Sequence, residues 1–277
     1  MEFRKYDNVE AFRSDVLDSL LKNEILNNLA ISILTEGKAR NASGWFMAAV
    51  VDGGAVSHAA LCAKPFNLLL YEADSRRRDG MELLAREIRR LVADPPCVFA
   101  ERGLASRFAD AYAPGHEAAP EKSMVVMRLD ELAEYEKAPG HCRELAVRDL
   151  HFVPFWERSF GEECRTHVFP IPDILGRVSS RLGKGTHFIW EDGIPVSQAV
   201  HGRSTPGGAV VNMVYTPPQY RGRGYATSVV AELSGSLLAG GKDFCCLFAD
   251  SGNPVAQEIY RKLGYYDVYT FDIVCIK

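Results

Sequence analysis

The residues whose types and spacing most plainly carry chemistry form the run Val214-Tyr215-Thr216-Pro217-Pro218-Gln219-Tyr220-Arg221-Gly222-Arg223-Gly224-Tyr225-Ala226. An apolar strand runs into a Pro-Pro stop, a Gln-x-x-Gly-x-Gly turn follows, and a helix begins. Amides left unpaired in the first helical turn point at an anion, and the helix dipole favours negative charge there. Gly222 and Gly224 let the backbone approach a phosphate with no Cβ in the way, and Arg221 and Arg223 add positive charge. The run predicts a pocket for a pyrophosphate-bearing ligand. A Gly-x-Gly turn taken alone is equally compatible with an ordinary strand-to-helix turn at the surface. The chain has no Gly-x-x-x-x-Gly-Lys-Ser/Thr, which excludes a P-loop. The turn also lacks the first Gly of Gly-x-Gly-x-x-Gly, which argues against hydride chemistry with a nicotinamide.

About thirty residues on, a second motif reads Asp250-Ser251-Gly252-Asn253-Pro254-Val255-Ala256-Gln257-Glu258-Ile259-Tyr260-Arg261-Lys262-Leu263-Gly264. It follows an apolar strand, Phe244 to Phe248. Pro254 suits the first turn of a helix and Gly264 its C-terminal cap. Val255, Ile259 and Leu263 recur at helical spacing, while Ala256 and Tyr260 lie one turn apart on another face.

Together the two motifs resemble the GCN5-related N-acetyltransferase (GNAT) superfamily. Gln219 through Ala226 matches the family's pyrophosphate loop. Asn253, Ala256, Tyr260 and Gly264 match its Asn-x-x-Ala-x-x-x-Tyr-x-x-x-Gly. The resemblance implies acetyl-CoA as cosubstrate. It implies that Asn253 contacts the pantetheine arm, and that Tyr260 sits near the sulfur and protonates the leaving thiolate. Asn212 to Thr216, which includes Met213, Val214, Tyr215 and Thr216, is then the strand that offers backbone groups to the pantetheine and the thioester carbonyl. The implied fold is α/β (α+β): a mixed, mostly antiparallel sheet flanked by helices, in two tandem copies.

These motifs need a scaffold, and the 277 residues suit two domains of about 130 to 140. Apolar residues at 47% and charged residues at 25% describe a globular chain. A net charge of −4 argues against general nucleic-acid binding. No apolar run reaches the roughly eighteen residues of a membrane span. The charged start Met1-Glu2-Phe3-Arg4-Lys5 does not read as a signal peptide, and the expected location is the cytoplasm. The seven cysteines contain no Cys-x-x-Cys and read as reduced core thiols. The histidines have no metal-ligand spacing, so no metal is expected.

In the second half, helices are expected over Leu150–Phe160, Ile171–Leu182 and Tyr225–Leu238. Strands are expected over Thr186–Trp190, Ile194–His201, Ala209–Thr216 and Asp267–Ile276. The first half repeats this faintly. Phe46–Val51, the turn Asp52-Gly53-Gly54 and Ala55–Ala60 parallel the two strands around Asp192-Gly193, and Cys97–Glu101 with the helix after it parallels Cys246–Asp250 and its helix. The expected division is a degenerate GNAT-like domain over 1–130 and an acetyl-CoA-binding catalytic domain over 141–277. The charged stretch 131–140, ending in Pro139-Gly140, is the linker. Where the first half should carry a phosphate loop it has Tyr71–Met81 with Arg76, Arg77 and Arg78, which also reads as a solvated charge run. Its later helix lacks the Asn-x-x-Ala-x-x-x-Tyr set.

Acetyl transfer to an amine needs a polarised carbonyl, a neutral amine and a protonated leaving thiolate. Amides near Val214 and Tyr215 can polarise the carbonyl. The Tyr260 phenol, with an ordinary pKa of about 10, is the candidate acid; a tyrosine packed on the sheet is the plainer alternative. No single base stands out among Glu162, Glu163, His187, Glu191, Asp192 and His201. Phe152, Phe155, Trp156 and Phe160 either border the acceptor cleft or fill the core, for which their spacing is suited. The activity that follows is acetyl-CoA-dependent acetylation of a primary amine on a small molecule or peptide by direct attack. No nucleic-acid or membrane partner is expected, and a homodimer is the assembly to test. The alternatives are a non-catalytic acyl-CoA-binding module, or a transferase using another acyl donor.

Overall fold

The computed structural model describes residues 1–35, 44–63, 66–75, 77–92, 97–115 and 119–276. Its elements begin with β1 (Glu2–Tyr6), α1 (Val9–Leu21), α2 (Glu24–Thr35), β2 (Phe46–Asp52), β3 (Ala55–Cys62), β4 (Leu68–Glu72), α3 (Arg78–Leu91), β5 (Cys97–Glu101), α4 (Arg102–Tyr112) and β6 (Lys122–Leu129). They continue with β7 (His141–Glu144), α5 (Val153–Glu163), α6 (Ile171–Ser179), β8 (His187–Asp192), β9 (Ile194–Ser204), β10 (Gly208–Tyr215), α7 (Tyr225–Ala239), β11 (Phe244–Asp250), α8 (Pro254–Lys262) and β12 (Tyr266–Cys275). From β1 to α4 and again from β7 to α8 the order is strand, two helices, three strands, helix, strand, helix. The repeat read from the turns therefore extends to the whole element order.

Two compact units result: Met1–Val126 with Tyr269–Lys277, and Met127–Val268. In the first, β1 to β5 run as neighbours in chain order and β12 pairs antiparallel with β5. Strands β2 and β3 divide their side chains by alternation. Ala48, Val50 and Ala60 join the core beneath α3 and α4, with Met81, Leu84, Ile88 and Phe108. Met47, Ala49, Val51, Ala59 and Leu61 face the core of α1 and α2, with Phe12, Val16, Ile31 and Leu34. The expected strand Asp267–Ile276 is present, but its residues Phe271–Cys275 pair with Cys97–Glu101 rather than with a strand of the second half.

That pairing corrects the cysteine reading. Cys97 and Cys275 are register partners and are joined by a disulfide, 178 residues apart in sequence. Such long-range pairing leaves no local signature. The other five cysteines are in no disulfide.

In the second unit the strand order is β11-β10-β9-β8-β7, antiparallel except for β10 and β11. Helices α5 and α6 cover one face, where Val153, Ile174 and Val178 pack with Ile189. Helix α7 lies against β8, β9 and β10. The stretch read as a linker is held on this unit: Ala138 N–H donates to Ser228 Oγ of α7 at 2.8 Å, Lys137 pairs with Glu232, and Trp190 Nε1 donates to Pro139 O. Among the described residues no helix is long and apolar enough to cross a membrane.

Candidate active site

The site starts from a ladder that stops. β10 and β11 pair in parallel only at Gly208–Phe244, Ala209–Cys245 and Val210–Cys246. Both strands continue, to Tyr215 and Asp250, without further register pairs between them. Before its end β10 carries a bulge: Asn212 pairs with Val200 and Tyr215 with Gln198, so Met213 and Val214 together face Ala199 alone. Met213 takes φ 50°, a left-handed conformation that costs a residue with a Cβ about 1–2 kcal/mol.

Beyond β10, Pro218–Tyr220 form one 3₁₀ turn, in which Gln219 is exposed. Gly222 and Gly224 then take φ 76° and 77°. Gly224 is the N-cap of α7, and no side chain caps that helix, as none caps α3, α5 or α6, whereas Asn8, Glu101 and Asn253 cap α1, α4 and α8. The first α7 amide bonded within the helix is that of Ser228, to Gly224 O at 3.0 Å. The amides of Tyr225, Ala226 and Thr227 are those a helix N-terminus leaves for another acceptor. A Cβ added at Gly222 meets no atom within 4 Å, so the space above the turn is open. These features fit a pyrophosphate.

Arg221 and Arg223 are both exposed, but Arg221 is already engaged. Its Nη2 donates to both carboxylate oxygens of Glu163, at 2.7 and 2.9 Å, and its Nε donates to Thr216 O at 2.8 Å. Tyr215 is buried, and its hydroxyl lies 3.4 Å from Glu163 Oε1. Thr216 Oγ1 is 2.8 Å from Ser197 Oγ. Tyr225 donates to Asp192 Oδ2 at 2.6 Å, a bond that pushes the phenol pKa up.

At the end of β11, Asn253 Oδ1 accepts the Ala256 amide at 3.1 Å and so caps α8. Its side-chain NH₂ is the group left for a ligand. Tyr260 lies within α8, 9% exposed, with its ring edge-on to Tyr265 at 5.9 Å. Burial, and secondarily the nearby Cys164 thiol, push its pKa well above the ordinary phenol value, so it holds its proton at neutral pH. Cys164 caps the C-terminus of α5 and directly follows Glu163. The end of α5 is thus where Tyr215 and Arg221 meet, through Glu163.

Most carboxylates weighed as a base have cationic partners. Glu191 pairs with Arg143 and Arg148, Glu162 with Arg158, and Glu163 with Arg221, while Asp192 takes the Tyr225 bond. His201 Nε2 is 2.9 Å from Ser204 Oγ. His187 is 1% exposed with the Gln198 side chain beside it, and burial pushes its pKa down to about 3. Burial pushes Cys245 and Cys246 up to about 12, far from a thiolate nucleophile at neutral pH. Sequence reasoning missed Glu157, buried on α5 and paired with Arg181 of the segment after α6. It missed Gln198 and Ser197 as well. The buried stripe of α5 is Val153, Glu157 and Gly161, not its aromatics. Phe155 is exposed, and Phe152 and Trp156 are half-buried with rings 4.6 Å apart, Trp156 lying 6.3 Å from the Tyr215 ring.

The first unit differs at the matching places. Its β4–β5 ladder also stops early, at Leu69–Phe99. Beyond it, Glu72 of β4 forms an ion pair with Arg107 of α4. Seven residues after the capping Glu101, where Tyr260 follows Asn253, stands Phe108. Arg77 pairs with Asp52; Arg76 lies outside the described residues.

Residues 192–271, which contain the bulge, the glycine turn and α8, match the family model described as FR47-like protein. No curated protein matches the chain in sequence. Among solved structures, the chain is similar to a GNAT-family acetyltransferase from Colwellia psychrerythraea, at 12% identity over all of both chains with a TM-score of 0.67. It is also similar to a GCN5-related N-acetyltransferase from Sphaerobacter thermophilus, at 18% identity over 98% of this chain and 94% of that one, with a TM-score of 0.66. A tandem GNAT protein from the clavulanic acid biosynthesis pathway matches at 15% identity over 99% and 98%, with a TM-score of 0.58. At these identities the likeness speaks for the fold. The chain is a protein of the GCN5-related N-acetyltransferase fold, built as two units of one element order. Among the described residues no cluster of three or more His, Cys, Asp or Glu is arranged to hold a metal.

Proposed function

We propose that this protein transfers an acetyl group from acetyl-CoA to a primary amine of a small molecule or peptide, using one donor site in its second unit. The observation that carries the reading is the uncapped N-terminus of α7. Two glycines at φ 76° and 77° precede it, and the space above Gly222 is open. The amides of Gly222 to Thr227 would hold the pyrophosphate, and Arg223 adds charge. Asn253 would hold the pantetheine arm. When bound, the thioester supplies the activated acyl group. The backbone from Val214 to Thr216 polarises its carbonyl, and Tyr260 holds a proton for the departing sulfur. The first unit is silent, because its Glu72–Arg107 pair and Phe108 stand where a donor and an acid would be needed.

A second reading, a non-catalytic acyl-CoA-binding module, is favoured by one observation: Glu162, Glu163 and Glu191 are all ion-paired, and Asp192 accepts from Tyr225. Calorimetric titration with acetyl-CoA tests the shared premise. The expected result is one site per chain, abolished in Gly222→Val and kept in part by Gly222→Ala. The alanine carries the same backbone strain, about 1–2 kcal/mol, with far less bulk above the turn. No binding by the wild-type chain would sink both readings. Release of free CoA with a panel of primary amines then separates enzyme from module.

A further inference from the structure

We propose that Gln198, seconded by Ser197, is a positioning residue that aims the β10 amides at the acyl carbonyl. The inference rests on the donor site proposed above. The β10 bulge is strained at Met213, one of two non-glycine residues with positive φ among those described. Something must hold it there. Gln198, 0% exposed on β9, donates Nε2 to Met213 O at 3.3 Å. That contact settles the amide orientation, since a carbonyl can only accept. Gln198 Oε1 is then the group left to the buried His187 ring, whose proton it favours. A methionine of similar length would lack the hold on Met213 O.

A trans peptide is planar, with its C=O and N–H pointing in opposite directions. Holding Met213 O through the Gln198 side chain therefore fixes the plane of the Met213–Val214 peptide, and with it the direction of the Val214 N–H, in the part of β10 beyond its ladder with β11. Ser197, also 0% exposed, does the same one peptide further on. Its Oγ donates to Tyr215 O at 3.2 Å, which fixes the Tyr215–Thr216 peptide and its N–H. Ser197 and Gln198 are consecutive on β9, so they grip the bulge from opposite faces of the sheet. The outcome is two aimed amide donors in a fixed frame. A preorganised donor is worth about 10²–10³ in turnover when lost.

The test uses the full chain and acetyl-CoA carrying carbon-13 at the carbonyl, with infrared difference spectroscopy of the bound thioester, so no acceptor need be known. The wild-type chain should lower the carbonyl stretching frequency relative to free acetyl-CoA. Gln198→Met should lose most of that downshift at unchanged calorimetric affinity. Ser197→Ala should lose part of it, and provides the reading if Gln198→Met does not fold. Once an acceptor amine is known, kcat should fall in both variants while KM for acetyl-CoA stays put. An equal downshift in wild type and variants overturns the role of Gln198. Tight binding with no downshift in the wild type overturns carbonyl polarisation by β10. Failure of the wild type to bind acetyl-CoA overturns the donor site itself, and this inference with it.

Discussion

Arg221 and Glu163 form a two-oxygen ion pair that ties the glycine turn to the end of α5. The expectation that Arg221 serves the phosphate therefore meets a competitor. Both side chains are 46% exposed, which places the pair among surface ion pairs worth about 0–1 kcal/mol. Its consequence is for ligand charge rather than stability. Glu163→Gln removes a negative charge beside the turn and releases the guanidinium. Acetyl-CoA should bind severalfold more tightly at low ionic strength, with the gain fading in high salt, while the melting temperature hardly moves. Arg221→Gln should weaken binding. Calorimetry at two salt concentrations checks both signs, and weaker binding by Glu163→Gln would show that the pair is a brace the site needs.

Tyr260→Phe isolates the acid. The ring stays buried, so acetyl-CoA affinity should hold while kcat drops by about 10²–10⁴, the range of general acid catalysis. Burial raises the Tyr260 pKa in the folded state. A raised pKa means that the folded chain holds this proton more tightly than the unfolded one. The contribution to stability is full below the unfolded value of about 10 and is lost only as pH rises through the folded value. The pH–rate profile should accordingly show no alkaline fall due to Tyr260 below about pH 10. Unchanged turnover in Tyr260→Phe with several amines would assign the proton to another group.

Much of the second unit was legible because Pro and Gly punctuate it. Pro217-Pro218 ends β10, Gly240-Gly241 ends α7, Pro254 opens α8 and Gly264, at φ 98°, closes it. The apolar periods between those marks then gave the element types. The parts that do the positioning were not legible, because they are contacts between segments far apart. Arg221 meets Glu163 fifty-eight residues away, and Gln198 reaches the Met213 carbonyl across a bulge that no residue type announces. The same holds for β12, whose alternation reads as a strand yet carries no mark of pairing with β5.

His187 and His58 make stability pH-dependent. Burial lowers His187 from 6.5 to about 3, with Arg181 acting in the same direction and Gln198 and Asp149 against it. Burial lowers His58 of the first unit from 6.5 to about 4; Arg77 and Arg107 add to this and Asp79 opposes it. Gly80 lies against the His58 ring, where an added Cβ would come within 2.4 Å of it. Below pH 6.5 the unfolded chain binds protons that the folded chain refuses. Stability is therefore full above 6.5 and falls toward the folded values, with a slope approaching about 1.4 kcal/mol per pH unit for each histidine. Chemical denaturation between pH 7 and pH 5 should show the fall. His187→Gln should flatten it at the second unit's transition. A slope unchanged by that substitution would mean that His187 is protonated in the fold.

The Cys97–Cys275 disulfide ties the C-terminal strand to β5 in the first unit. A link between residues 178 apart restricts the unfolded chain, and the chain-entropy estimate for so long a loop is up to about 5 kcal/mol. Reduction should therefore lower the melting temperature of the first unit. Cys275→Ser should lower it by a similar amount and leave nothing further for the reductant to remove. Thiol titration of the denatured, unreduced chain should count five of the seven cysteines, and peptide mapping should recover Cys97 joined to Cys275. Because the acetyl-CoA site is proposed in the other unit, acetyl-CoA affinity should survive reduction below the melting transition. Seven free thiols in the chain as purified from an oxidising medium would remove the link, and with it this source of stability.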